Sequence, residues 1–250
     1  MDFSVIPIEL FLFLVAILAG FIDTLAGGGG LITLPALLIS GVPPLATLGT
    51  NKLQGSVGTA TSTYMMLTKK MIQWHDIKFL MLASLIGAML GAILVQFIDI
   101  HFLSFIIPVV LFAILVYFVF SPRTHEQDHP AKISSVRFQY GVVPAIGCYD
   151  GMFGPGTGSF FATAAASLRG QGFVKATARA KALNFASNIA SLVVFIFAGQ
   201  VVWLAGLVMI AGQVIGAWLG SHCLIRIQPV FLRYLVVTIC LAMLFKYLFV

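Results

Sequence analysis

Two glycine-rich interruptions inside long apolar segments constrain this chain more than any other feature. The first, at residues 20–35, reads GFIDTLAGGGGLITLP, and the second, at residues 147–159, reads GCYDGMFGPGTGS. Each contains one aspartate, Asp23 or Asp150, with three residues between it and a glycine cluster. Glycine clusters interrupt helices, and in lipid an interrupted helix is tolerated only where protein or a water-filled cavity surrounds it. Two such interruptions at corresponding positions of two halves are typical of a transporter binding site.

The composition indicates an integral membrane protein. Of the 250 residues, 60% are apolar and only 9% are charged, whereas soluble domains carry about 25% charged residues. Several apolar runs exceed about 18 residues, which is long enough for a membrane-spanning helix. The cysteines have no metal or disulfide spacing, and the basic residues form no nucleic-acid-binding cluster. We therefore expect no metal, no cofactor and no nucleic-acid partner, and a lipid bilayer as the surroundings.

Ten helical segments are predicted, five in each half of the chain. Those of the first half are 6–25, 29–40, 45–68, 77–97 and 102–120. Those of the second half are 138–152, 155–169, 173–198, 201–222 and 230–250. The second segment of each half is shorter than the roughly 20 residues that a full crossing needs. We therefore predict an all-α polytopic membrane protein with glycine-broken helices and about 8–10 transmembrane helices.

The two halves repeat one another. Asp23 matches Asp150 at an offset of 127, and Lys52 matches Lys181 at an offset of 129. A W-x12-GA-x2-G motif also recurs at the second offset. The predicted domains are a first membrane repeat, a hydrophilic cytoplasmic linker and a second membrane repeat, over residues 1–120, 121–137 and 138–250.

The basic residues of the turns predict how the repeats are oriented. Where a turn of one half carries lysine or arginine, the matching turn of the other half carries none. Positive charges favour the cytoplasmic side, so the two five-segment repeats are predicted to be inverted relative to the membrane. Both termini are then expected on the periplasmic or extracellular side.

Asp23 and Asp150 come at the end of the first helix of each half, beside the glycine break. One interpretation is a titrating or gating carboxylate in a low-dielectric cavity, which would couple transport to protons. The other is structural, because an aspartate side chain can accept hydrogen bonds from the free amides of the next helix start. Both interpretations stay open at this point.

The glycine clusters predict an anion site. Backbone N–H groups at a helix N-terminus attract anions through their orientation and through the helix dipole. The alternative is close helix packing, since small residues let two backbones approach. The candidate substrate-binding residues in the clusters are Gly28, Gly29, Gly30, Gly156, Thr157 and Gly158.

Two lysines lie about eight residues into the third predicted helix of each half, Lys52 and Lys181. A lysine at that depth costs up to about 3 kcal/mol unless it is paired or snorkels to the surface. Lys181, Asn184 and Asn188 fall at i, i+3 and i+7, which is one face of a helix. We expect this face to line a ligand path, with snorkelling lysines or hydrogen bonds between helices as the alternatives.

These motifs resemble those of the sulfite exporter TauE/SafE family of membrane transporters. The segments that carry the resemblance are GFIDTLAGGGGLITLP, ATLGTNKLQ, DGMFGPGTGSF, ATARAKALNFASNIASLVVF and GQVVW, and they cover both halves. The resemblance implies an inner-membrane protein that moves small sulfur-containing anions, such as sulfite or sulfonates, generally outward. Strict symmetry is lost where Gly28 corresponds to Pro155, so the two half-sites are expected to be unequal.

The predicted function is a secondary transporter in the bacterial inner membrane that exports a small anion, with proton coupling as one option. No catalytic residue is assigned. An intramembrane enzyme is an alternative because residues 156–159 read GTGS, but no histidine or lysine is obviously placed to activate that serine. An anion channel and a structural membrane subunit are the remaining alternatives.

Overall fold

The computed structural model describes residues 7–120, 127–224, 234, 237–243 and 245–246, and all regular structure within them is helical. The first half contains α1 (Ile8–Ala26), α2 (Gly30–Ile39), α3 (Pro44–Thr68), α4 (Trp74–Val95) and α5 (Ile100–Phe120). The linker ends in the short α6 (Ser135–Arg137). The second half contains a π-helical turn (Phe138–Val142), α7 (Val143–Met152), α8 (Thr157–Arg169), α9 (Phe173–Phe197) and α10 (Trp203–Cys223). The predicted segments match these helices closely. Most of the tenth, 230–250, lies outside the described residues, although 237–243 are helical.

Five helices in the described ranges are long and apolar enough to cross a membrane: α1, α4, α9, α10 and the Ile100–Tyr117 part of α5. Their outer faces expose large apolar side chains such as Leu82, Phe105 and Leu207, which lipid accommodates and water does not. α3 is 25 residues long but more polar, and α2 has only 10 residues. The chain is an all-α multi-pass membrane protein, as its composition predicted.

Both predicted helix breaks occur at the glycine clusters. α1 ends at Gly27, whose φ of 74° is left-handed and whose N–H donates to the carbonyl of Asp23 at 2.7 Å. α8 begins after Gly156, which has a φ of 76°. Only glycine adopts such angles without strain, and a left-handed residue after the last turn is a common way to end a helix.

The two breaks lie in direct contact. A Cβ added at Gly27 would overlap the backbone of Gly158 and Ser159, and one added at Gly30 would come 3.0 Å from the Cα of Pro155. The hydroxyl of Ser159 also donates to the carbonyl of Ala26. The interrupted ends of α1, α2 and α8 therefore pack against one another inside the bundle.

Small residues bring two helix pairs together, α1 with α10 and α4 with α7. Gly87 leaves room for the carbonyl of Pro144, and Gly216 leaves room for the carbonyl of Ile17. The offsets of 129 between the glycines and 127 between their partners are those that relate the two halves of the sequence. Close backbone approach at small residues is the usual way in which membrane helices associate.

The direction of α10 is fixed by its contacts with α3. At one end the N–H of Val202 donates to the Oγ1 of Thr50 at 2.9 Å. At the other end the Nζ of Lys69 donates to the carbonyl of Ser221 at 2.8 Å. α3 and α10 therefore run parallel. α4 runs opposite to α3, because its contacts with α9 follow the same direction along both helices, whereas those of α3 with α9 follow opposite directions.

The described part of the linker packs on the turn between α8 and α9. Asp128 accepts hydrogen bonds from the N–H of Gly172 at 2.7 Å and the Nζ of Lys175 at 2.9 Å. The Gly172 bond, followed by the Lys175 bond, lowers the pKa of Asp128 below its ordinary value. The N–H of His129 donates to the carbonyl of Gly170 at 2.7 Å. The linker and the basic end of α9 thus belong to the same end of the bundle.

Candidate functional site

A small polar cavity lies where the two breaks meet α3 and α9. Its volume is about 30 Å³, which is enough for one or two water molecules. Besides Asp23, Asp150 and glycines of both breaks, its lining includes the amide side chains of Asn51, Gln54, Asn184, Asn188 and Gln213. An anion the size of sulfite would enter only if some of these groups moved apart.

Two ion pairs, each with a buried lysine, cross between the halves at this cavity. The Nζ of Lys52 lies 2.9 Å from the Oδ1 of Asp150, and the Nζ of Lys181 lies 3.1 Å from the Oδ2 of Asp23. The lysines are related by the offset of 129 and the aspartates by the offset of 127. Each half therefore supplies the cation for the carboxylate of the other half, and neither buried lysine snorkels to the surface.

Further polar contacts hold both ammonium groups. The Nζ of Lys52 donates to the Oδ1 of Asn188 at 3.2 Å, and the Nδ2 of Asn188 donates to the Oδ1 of Asn184 at 3.3 Å. The Nζ of Lys181 also donates to the backbone carbonyl of Asp23. A buried charge needs a counter-ion and further hydrogen bonds, and these contacts give each ammonium group one carboxylate and one additional oxygen acceptor.

The two aspartates have different surroundings. The Oδ1 of Asp23 accepts a hydrogen bond from the N–H of Gly29 at 3.1 Å, so this carboxylate both caps the break and pairs with a lysine. The Oδ2 of Asp150 is buried and has no hydrogen-bond partner among the described residues. The Asp150 side chain is 1% exposed, compared with 16% for Asp23. The two half-sites are therefore unequal.

The six candidate residues of the glycine clusters divide into three sets. Gly29 and Gly30 line the cavity, as does Gly154, which the candidate set did not include. Gly158 packs against Gly27, and a Cβ added to it would lie 3.1 Å from the Nζ of Lys181. The remaining three belong to the turns and helix starts of the two breaks, at Gly28, Gly156 and Thr157.

Sequence reasoning missed three amide side chains. Asn51 and Gln54 lie one helical turn apart on α3 and are joined by a bond of 2.7 Å from the Nε2 of Gln54 to the Oδ1 of Asn51. Their i, i+3 spacing beside Lys52 was the signal that could have revealed them. Gln213 lies between α1 and α3, but its counterpart in the first half is Ser84, so the repeat gives no sign of it.

A comparison with protein families identifies the chain. Residues 12–247 match the family model described as sulfite exporter TauE/SafE. The chain belongs to the TauE/SafE family. The family resemblance seen in the sequence motifs is thereby confirmed over nearly the whole chain.

Several relatives within the TauE/SafE family carry transporter names. A probable membrane transporter protein of Haemophilus influenzae is 42% identical over 226 residues, which are 90% of this chain and 89% of the relative. The probable membrane transporter protein ORF9 of a Sinorhizobium species is 46% identical over 212 residues, 85% of this chain and 81% of the relative. The probable membrane transporter protein YfcA of Escherichia coli K12 is 40% identical over 248 residues, 99% and 92% of the two chains. No solved structure gives a significant match.

These findings establish the general class of this TauE/SafE member. It is a multi-pass membrane transporter, because the family match and the transporter-named relatives cover most of the chain and its apolar helices suit a bilayer. The prediction of a transporter rather than an enzyme is confirmed by the same relatives.

Proposed function

We propose that this TauE/SafE transporter is a secondary carrier of small sulfur-containing oxyanions, such as sulfite or a sulfonate, and that it couples their movement to protons. This proposal rests on two ion pairs at the meeting point of the helix breaks. In each of them a buried lysine of one half binds the aspartate of the other half. The family description, sulfite exporter, supports the choice of cargo and the outward direction.

The ion pairs support an anion as the cargo. Lys52 and Lys181 are buried cations whose counter-ions are the carboxylates of Asp150 and Asp23. An oxyanion that entered the cavity could replace a carboxylate as the partner of a lysine, assisted by the amide groups of Asn184 and Asn188. Gly30 would contribute its backbone amide from the first break, and Gly29 would do so once its N–H leaves the Asp23 carboxylate.

The same pairs support coupling to protons. Two lysines and two aspartates give the closed site no net charge, so an added anion would leave an uncompensated negative charge in a low-dielectric interior. Protonation of Asp150 or Asp23 removes that excess and releases a lysine for the anion. One anion and one proton then bind together and move in the same direction.

This coupling sets the conditions for export. For a monovalent anion that moves with one proton, the membrane potential has no effect on the driving force. Each pH unit by which the outside is more acidic opposes export by about 1.4 kcal/mol, which a tenfold outward gradient of the anion offsets. Export therefore runs whenever the internal anion accumulates beyond that ratio.

Alternating access is proposed to follow from an inverted repeat. α4 and α10 correspond in the two halves, yet α10 runs parallel to α3 whereas α4 runs back from it. The crossed ion pairs are also related by the offsets of the repeat. Rocking of one half against the other would open the cavity to one side of the membrane at a time.

The proposed location is the bacterial inner membrane, with both termini on the periplasmic side. Lysines and arginines of the linker end, including Lys69, Lys175 and Arg179, support a cytoplasmic position for that end. Reporter fusions at residue 125 and at the C-terminus should report opposite sides of the membrane. Finding both reporters on one side would contradict the orientation.

A substrate screen in proteoliposomes tests the proposed function. Purified protein should give saturable flux of sulfite or a sulfonate that responds to a pH step, with sulfate and thiosulfate as comparison anions. Lys181→Ala should abolish the flux without loss of folded protein. Lys175→Ala is the matched control, because its partner Asp128 lies in an exposed ion pair outside the cavity. Ohmic currents would favour a channel instead, and equal flux by Lys181→Ala would contradict the site.

A further inference from the structure

A second and larger cavity lies at the linker end of the bundle. Its volume is about 140 Å³, and its walls come from α4, α6, α8, α9, the π-helical turn and the turn between α8 and α9. It shares no lining residue with the central cavity. Phe161 and Leu183 belong to its lining, and each lies within one helical turn of a residue beside the central ion pairs, Gly158 or Asn184. The two cavities are therefore separated by the packed faces of α8 and α9.

Two arginines give the second cavity a positive charge. Arg169 donates from Nη1 to the carbonyl of Ile133, and the Nη2 of Arg179 lies 3.2 Å from the Oδ2 of Asp76. A guanidinium has five N–H donors in a planar fork that fits carboxylate, sulfonate and phosphate groups, and each of these contacts uses only one of its nitrogens. With Asp76 as the acidic residue of the lining, the two arginines leave an excess of one positive charge.

A buried side chain without a partner faces the same cavity. Gln171 is 8% exposed, and its Oε1 has no hydrogen-bond partner within the described part of the chain. The oxygen and nitrogen of a glutamine amide are assigned from their hydrogen bonds, so this carboxamide can present either an acceptor or its NH₂ donors to a ligand. Buried polar groups are nearly always satisfied, and a ligand in the cavity would satisfy this one.

Most of the remaining wall is apolar, with Ser135 and Gln139 as further polar residues of the lining. Phe138, Phe161 and Leu183 line the cavity and are almost completely buried. They are packed in a hydrophobic cluster, and an inorganic ion would make no apolar contact with the parts of them that line the cavity. An organic anion would place its charged group at the arginines and its apolar part against the rings, which is how mixed pockets usually orient their ligands.

We propose that this second cavity binds an organic oxyanion. Its sulfonate, carboxylate or phosphate group contacts Arg169 and Arg179, and the Gln171 carboxamide donates to it. The apolar part packs on Phe138 and Phe161. A free organic anion of the cell and the phosphate group of a membrane lipid share this chemistry. The inference concerns binding at a separate site and does not rest on the proposed central site.

Calorimetric titration of the full-length protein in detergent with butane-1-sulfonate tests the proposal. The wild type should bind butane-1-sulfonate more tightly than sulfate, because only the former uses the apolar walls. Arg179→Gln should weaken binding about tenfold or more, whereas Arg137→Gln should not, since Arg137 is exposed and lies outside the lining. Binding should persist in Lys181→Ala, which alters only the central site. Loss in Lys181→Ala with full binding in Arg179→Gln would overturn the proposal.

A second variant protects the test against misfolding. Gln171→Leu replaces a buried, unpartnered amide by an apolar side chain of similar size, so the fold should be kept while binding weakens. Native mass spectrometry supplies the lipid arm. If the ligand is a lipid phosphate, phospholipid should stay bound to the wild type and be displaced by butane-1-sulfonate. The same phospholipid should be absent from Arg179→Gln. The proposal would be overturned if the wild type neither bound butane-1-sulfonate nor retained a phospholipid that Arg179→Gln loses.

Discussion

Removing the lysine of one crossed ion pair should have a larger effect on stability than removing the other. Lys52→Met leaves Asp150 buried without its cation, and loss of one partner of a buried pair costs about 3–5 kcal/mol. After Lys181→Met, the Asp23 carboxylate still accepts a hydrogen bond from the N–H of Gly29 at 3.1 Å, and its side chain is more exposed than that of Asp150. A hydrogen bond to a charged group is worth about 1.5–3 kcal/mol, so the second substitution should cost only about 1–3 kcal/mol.

A double variant tests whether the loss of stability comes from the unpaired carboxylate of Asp150. Asp150→Asn in the Lys52→Met background removes the buried negative charge, and replacement of both partners of a buried pair by neutral groups is often close to neutral in stability. The double variant should therefore recover about 2 kcal/mol or more of the loss. Lys52→Met, Asp150→Asn and the double variant should all lack proton-coupled transport, even though the double variant recovers stability.

The assay is equilibrium unfolding in mixed micelles, with helix content followed during a titration with sodium dodecyl sulfate. Lys175→Met serves as the control for the loss of any lysine, because its pair with Asp128 is exposed and screened by solvent and should contribute little to stability. Equal losses for Lys52→Met and Lys181→Met would refute the difference between the half-sites. A loss below about 1 kcal/mol for Lys52→Met would refute the buried pair itself.

Three further predictions concern coupling, the breaks and the linker. Asp150→Asn should flatten the pH profile of anion flux, and an unchanged profile would show that this carboxylate does not titrate. Gly27→Ala should reduce the yield of folded protein far more than Gly41→Ala. Both glycines have similar φ values, 74° and 78°, but an added Cβ overlaps the start of α8 at Gly27 and meets open space at Gly41, so equal yields would contradict the contact between the breaks. Because the folded state lowers the pKa of Asp128, its bonds are intact above about pH 4 and are lost as the pH falls through that lowered value. The protection of linker amides from hydrogen exchange, measured relative to the intrinsic rate at each pH, should accordingly fall in acid in the wild type, and Asp128→Asn should show low protection at every pH.

Much of the helical framework follows from local sequence. The limits of the helices come from long apolar runs ended by proline, glycine and polar residues, and these signals do not depend on tertiary contacts. The break at Gly27 was predictable for the same reason, since four consecutive glycines do not continue a helix. The membrane environment followed from a charged fraction of only 9%.

The pairing inside the site was not predictable. Each half supplies its own aspartate and its own lysine, and nothing in the chain order indicates that Lys52 pairs with Asp150 of the other half. The capping interpretation was available for both aspartates. The Asp23 carboxylate does accept a hydrogen bond from the backbone N–H of Gly29, whereas the described contact of the Asp150 carboxylate is its ion pair with Lys52. Which carboxylate becomes fully buried depends on how α3, α7 and α9 pack, and packing of this kind leaves no local pattern.

Proton movement during anion efflux tests the central claim most directly. Proteoliposomes would be loaded with a transported sulfonate and a trapped pH indicator, and diluted into buffer of the same pH without the anion. A sulfonate is the suitable cargo because it stays ionised and does not buffer near neutral pH. If anion and proton leave together, the internal pH should rise in step with efflux in the wild type and not in Asp150→Asn. Rapid sulfonate efflux with a constant or falling internal pH would contradict the account.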